Sequence, residues 1–208
     1  NGEDVHTAVA REVFGVEAKD VTKEMRSKAK TINFGVMYGM GVTALQKNIG
    51  TDRAEAQEFL DGYFNKFSGL AEYLETVKRE TAQKGYTETF FGRRRYFPEI
   101  NSKLPFMKAQ AERMAINAPI QGTGADITKL AMLHVDGFIK SKKLEGDVRL
   151  LLQVHDELVY EVKENIVESV APEIKKIMQN VIDPKKTSGV TLSANASVGD
   201  NWVETDTI

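Results

Sequence analysis

The stretch VRLLLQVHDELVYEVK, residues 148–163, limits the possible folds more than any other part of the chain. Apolar residues recur on alternate positions through Leu150, Leu152 and Val154, and again through Leu158, Tyr160 and Val162. A period of two is that of a half-buried strand. Between the two runs stand His155, Asp156 and Glu157, so the segment reads as a tight hairpin with neighbouring carboxylates at its tip. Such a pair can hold a hard divalent cation such as magnesium, which prefers oxygen ligands. Taken alone, the same three residues read more readily as an ordinary polar turn. The rest of the chain decides between the two.

A helix precedes it in DVTKEMRSKAKTINFGVMYGMG, with Thr22 as its N-cap and Gly39 and Gly41 as its stop. Arg26, Lys30, Phe34 and Tyr38 follow one another at steps of four. Each step advances about 400°, so the four side chains form a slowly winding stripe on one face. Two cations followed by two aromatics can grip a polyphosphate at one end and stack a base at the other. A solvated basic face beside buried aromatics would show the same spacing. Gly35 costs about 1 kcal/mol relative to Ala in mid-helix, which points to a close approach there.

Short helical patterns fall within residues 1–20, with Gly15 marking a turn, and helices are expected over 51–67 and 68–84, the last closed by Gly85. GYTETFFGRRRYFPEI reads as a second hairpin ending at Pro98. A long helical region from about Phe106 to Lys142 should be interrupted or kinked at Pro119. Along it, Arg113, Asn117 and Gln121 again stand four apart, hydrogen-bonding side chains suited to groove edges or sugars. Residues 164–182 read as a helix that Pro172 would split or whose second half it would begin, and 190–198 as strand-like. His6, His134 and Trp202 read as structural, the last as a packing anchor.

Composition excludes several classes. With no cysteine, disulfides and thiolate metal sites are impossible. No run reaches the eighteen or so apolar residues of a membrane helix, so no membrane partner is expected. Net charge is −2, so any grip on nucleic acid must come from local clusters such as Lys23, Arg26, Lys28 and Lys30, or Arg93, Arg94 and Arg95. The chain opens on Asn1, with no initiator Met and no signal-peptide pattern, as expected of a non-secreted piece of something longer.

Several segments together resemble the C-terminal part of a family A DNA polymerase, the bacterial DNA polymerase I type. RSKAKTINFGVMYG is similar to the family's fingers-helix motif, and LLQVHDELVYEV to the palm motif carrying its metal-binding aspartate. NGEDVHTAVAREVFGV, FGRRRYFPEI, ERMAINAPIQGTGADI and ASVGDNW extend the likeness over nearly the whole chain. A single-subunit RNA polymerase shares related motifs, but HDEL and QGTGADI favour the DNA enzyme. A non-catalytic binding module would have no use for a carboxylate at a hairpin tip.

The resemblance implies a mixed α/β (α+β) architecture, part of a right-hand polymerase fold. Helical fingers would occupy residues 1–104 and an antiparallel-sheet portion of the palm residues 105–208. It implies that Arg26 and Lys30 bind the incoming triphosphate, Phe34 packs against its sugar and base, and Tyr38 shapes the nascent-pair pocket. Gly39, Arg113, Asn117, Gln121 and His155 would meet primer-template DNA. Asp156 and Glu157 would serve catalysis and magnesium, with Lys30 stabilising the transferring phosphoryl group. Partners would be dNTPs, primer-template DNA and the N-terminal remainder of the polypeptide, in a bacterial or phage-like cytoplasm. The thumb and the first palm motif, with the second catalytic aspartate, have no counterpart here. The chain by itself is therefore expected to be inactive, since two magnesium ions need more carboxylates than one cluster offers.

Overall fold

The computed structural model describes residues 4–208, which leaves the first three residues of the NGEDVHTAVAREVFGV motif outside it. The chain divides into two compact units. One runs to Glu88 and takes up again at Gly92–Pro119; the other comprises Thr89–Phe91 and Ile120–Ile208.

The first unit is built from α1 (Val5–Phe14), α2 (Lys23–Met37), α3 (Val42–Ile49), α4 (Arg53–Lys66) and α5 (Ser68–Lys84). Local chemistry sets their ends. Asp4 accepts from the Thr7 amide at 3.2 Å, Thr22 from Met25 at 3.2 Å and Asp52 from Glu55 at 2.9 Å, each satisfying an amide that the first helical turn leaves open. Gly39 and Gly85 take the left-handed conformation where α2 and α5 stop, at φ +82° and +77°. Val9, Ala10, Ala29, Ile32, Val36, Leu45 and Tyr63 form the core of these helices. The second hairpin is present as β1 (Tyr86–Glu88) against β2 (Arg94–Tyr96), antiparallel, with Thr87 opposite Arg95. A smaller core of Phe97, Ile100, Ala111, Ala115 and Ala118 lies beneath it.

Helix α6 (Pro105–Ser141) runs through Pro119 without the interruption that was one of the two outcomes expected there. Proline forfeits one backbone bond. The helix, however, buries Ala111, Ala115 and Ala118 before Pro119 and Ala131 and Val135 after it, and tertiary packing outweighs one lost bond.

In the second unit β3 (Val148–Val154) pairs antiparallel with β4 (Glu157–Val162), as the alternation predicts. The register shifts at Leu151, and this bulge leaves Leu150, Leu151 and Leu152 all exposed. Helix α7 (Val167–Gln179) follows a 3-10 turn and keeps Pro172 inside it. The strand-like reading of 190–198 reduces to β5 (Ser197–Val198), paired with β6 (Asp206–Thr207). Val135, Ile139, Val148, Val170 and Ile174 form the core. The described helices include none long and apolar enough to cross a membrane.

Tyr160 packs against this core. Burial, reinforced by the Asp136 carboxylate, pushes its phenol up to about 12. The raised value favours the neutral ring, so its contribution to stability is full below about pH 10, the unfolded value, and is lost as pH rises through the folded one. An ultraviolet titration of the wild type against Tyr160→Phe should therefore show this phenol ionising well after an ordinary one. A Tyr160 transition near pH 10 would contradict the packing.

Candidate nucleotide and metal site

Helix α2 realises the predicted stripe. Ala29, Ile32, Asn33 and Val36 face the core, and the Tyr63 hydroxyl donates to Asn33 Oδ1 at 2.6 Å. The other face leaves Arg26 and Lys30 exposed and Phe34 and Tyr38 half-buried. Lys30 Nζ lies 5.9 Å from the Phe34 ring centroid. Phe34 stacks on Tyr38 at 6.1 Å, with 18° between the planes. Cation and rings thus make one continuous surface. Among the described residues Lys30 has no carboxylate partner, unlike Lys28, which meets Glu24 at 3.0 Å.

Arg26 is held differently. Its Nε donates to Asp4 Oδ2 at 2.7 Å and its Nη2 to Oδ1 at 3.1 Å, a two-pronged pair. The Arg26 guanidinium, with the Thr7 hydroxyl, keeps the Asp4 carboxyl well below the usual carboxylate range. A depressed carboxylate keeps its partner until pH falls through the lowered value, so the pair survives mild acid. The Arg26 end of the stripe is fixed in direction by that pair.

Two glycines shape the end of α2. A Cβ on Gly35 would lie 2.1 Å from Met40 Cε, which is the close approach its mid-helix place suggested. A Cβ on Gly39 would stand 3.1 Å from Arg113 Cγ, so these two predicted DNA-contact residues touch. Asn117 Oδ1 is buried and has no hydrogen-bond partner among the described residues. Buried acceptors are rarely left unpaired. Gln121 is exposed and belongs to the second unit. In the GRRR tract, Arg94 pairs with Glu88 at 2.7 Å and lies over Tyr86, while Arg95 lies over Phe97. Those two cations brace their own hairpin.

Sequence reasoning read His6 as structural and did not place it at the stripe. Its ring sits 5.5 Å from Phe34, and its Nδ1 is buried without a partner among the described residues. Only the pairing of α1 with α2 brings it to the stripe, and no local spacing in the chain announces that.

At the β3–β4 turn His155 takes φ +53° and Asp156 does not follow it to positive φ, the pattern of a type II′ turn. Glycine usually holds that first position, although histidine visits it more readily than most residues. The Gln153 amide braces the turn by donating to the His155 carbonyl at 2.7 Å. Asp156 and Glu157 are exposed. Glu157 Oε1 accepts from the indole Nε1 of Trp202 at 2.9 Å, whereas the Asp156 carboxylate has no hydrogen-bond partner among the described residues.

The described residues hold no group of three or more carboxylates or imidazoles that could cage a metal by itself. Magnesium does not require one. It takes one or two carboxylates and completes its shell with phosphate oxygens and water. The hard oxygen donors at the hairpin tip fit that partial role.

None of the predicted residues lines the cavity of about 420 Å³ bounded by α1 and α4. Its lining carries Glu12, Glu55, Glu58 and Lys66, the lysine paired with Glu12, beside the apolar Val9, Val13 and Phe59.

The sequence profile of DNA polymerase family A matches residues 1–204. DNA polymerase I of Pseudomonas aeruginosa is 49% identical over 97% of this chain, which covers 21% of that relative. DNA polymerase I of Rhizobium leguminosarum is 41% identical over 98% of the chain and 20% of the relative. The chain thus spans about a fifth of the length of the curated relatives it matches. A solved structure of the POL domain of Pol1 from M. smegmatis, in complex with DNA primer-template and dNTP, superposes with a TM-score of 0.81. It is 40% identical, over 88% of this chain and 32% of that one.

Proposed function

Since the chain belongs to DNA polymerase family A, we propose that it supplies the nucleotide-binding helix and one metal-binding hairpin of a template-directed DNA polymerase. The observation that carries this reading is the outer face of α2, where the Lys30 ammonium, with no carboxylate partner among the described residues, lies over Phe34 and Phe34 stacks on Tyr38. A solvated basic face flanking buried aromatics would leave those rings inside.

In the reaction, the primer 3′-oxygen forms a bond to the α-phosphorus of a dNTP. The bond from that phosphorus to the bridging oxygen breaks, pyrophosphate departs, and the hydroxyl proton passes to solvent. Lys30 and Arg26 neutralise the phosphate chain and the charge that builds on the transferring group. Phe34 packs against the sugar and base, and Tyr38 offers its ring to the forming pair. Arg113, Gly39, Asn117, Gln121 and His155 meet the duplex. Asp156, with Glu157, would hold magnesium, whose chemistry when bound is to neutralise phosphate oxygens and ease loss of the hydroxyl proton. One hairpin cannot serve two such ions, so the 208-residue chain alone should not extend a primer.

The test is equilibrium binding of dATP to the chain by calorimetry. Weak, salt-sensitive binding is expected, and Lys30→Ala should abolish it. Undiminished affinity in that variant would remove the reading.

A further inference from the structure

The second unit ends in an arrangement the polymerase reading leaves unexplained. Strands β5 and β6 pair Ser197 with Thr207 and Val198 with Asp206, and the Ile208 amide closes the ladder on the Ala196 carbonyl at 2.9 Å. The intervening loop is tightly built. A Cβ on Gly199 would fall 1.9 Å from the Glu204 carbonyl oxygen, so only glycine fits that crossing. Asn201 Oδ1 accepts from the amides of both Val203 and Glu204 at 3.0 Å, while its Nδ2 donates to Glu204 Oε2 at 3.1 Å. At the apex stands Trp202.

Its ring is 53% exposed, so it is not the packing anchor its size suggested. What it contributes is its N–H, aimed at Glu157 Oε1, 2.9 Å away and 45 positions earlier in the chain. A hydrogen bond to an ionised carboxylate is the stronger kind and fixes direction. The two adjacent carboxylates at the hairpin tip are thereby made unequal: Glu157 is tethered and Asp156 is not.

We infer that Trp202 is a positioning residue for nucleotidyl transfer, clamping Glu157 so that one of its oxygens keeps a fixed direction beside the freely turning Asp156. This rests on the polymerase reading above. Partners that orient a metal-site carboxylate commonly matter 10- to 100-fold in activity or metal affinity.

The experiment has two arms. Trp202 is the only tryptophan in the chain, so its indole N–H gives a single nitrogen–proton NMR resonance. Glu157→Ala should move that resonance upfield and speed its exchange with solvent; an unmoved resonance would mean that the bond does not exist. In the complete polymerase, Trp202→Phe keeps a ring but loses the donor. It should lower kcat about 10- to 100-fold and raise the magnesium concentration for half-activity, with KM for dNTP unchanged. Placed on a Glu157→Ala background, which removes the acceptor, the same change should have no further effect. Additive losses would show that Trp202 merely supports the fold, and would overturn the inference. Glu157 is exposed on its strand, so its variants should fold even where Trp202→Phe does not. A complete wild-type enzyme that extends no primer would instead remove the polymerase reading, and the catalytic role with it, while the resonance would still report the bond.

Discussion

Replacing Asp156 by Asn in the complete polymerase is expected to lower kcat about 10²- to 10³-fold and leave the thermal midpoint where it was. Asparagine matches aspartate in shape and is equally at home in a turn. The substitution therefore removes one charge and little else. Asp156 is exposed at the β3–β4 turn and accepts no hydrogen bond among the described residues, so the fold does not depend on it. Its neighbour Glu157 already accepts the Trp202 indole bond, so the proposed magnesium role falls first to Asp156. Single-turnover primer extension at saturating magnesium, with a melting curve on the same preparation, measures both halves. A near-native kcat would detach the hairpin tip from the chemistry. A lowered midpoint would mean that the carboxylate had served the fold.

Leu45→Ala is expected to cost about 3 kcal/mol of stability, the usual order for emptying a leucine-sized space in a packed core. Leu45 has no solvent exposure and is the only buried residue of α3. An eight-residue helix is too short to persist on its own, so Leu45, with the half-buried Ile49 beside it, carries most of its docking. Denaturant titration should show the loss, and amide exchange should show α3 opening ahead of α1 and α2. Leu45→Met nearly conserves volume and should cost under about 1.5 kcal/mol. Equal losses in the two variants would show that the site does not discriminate by packing.

The same helix marks the limit of what the sequence discloses. Capped or glycine-terminated helices could be read directly, because Thr22, Gly39 and Gly85 act within a turn of themselves. VTALQKNI ends at the left-handed Gly50, but it has no capping side chain at Gly41 and only Leu45 and Ile49 meet the core, too short a pattern to stand out from a loop. The stripe on α2 was legible from its spacing, and so was the β3–β4 pairing. The partners of these residues were not. Asp4 holding Arg26, His6 beside Phe34 and Trp202 on Glu157 all join positions far apart in the chain, and packing alone selects them. Pro119 errs the other way: a strong local signal was overruled by what lies on either side of it.

The bulge at Leu151 has a practical consequence. Three consecutive leucines stand exposed on one arm of a two-stranded ribbon whose outer backbone is unpaired among the described residues. Ribbons of that size are marginal in water, and a bare hydrophobic edge invites another strand to lie along it. A preparation of these 208 residues by themselves should be sticky at working concentrations, gathering into oligomers through that edge, and a mild detergent or a polar replacement at Leu151 would keep it in solution.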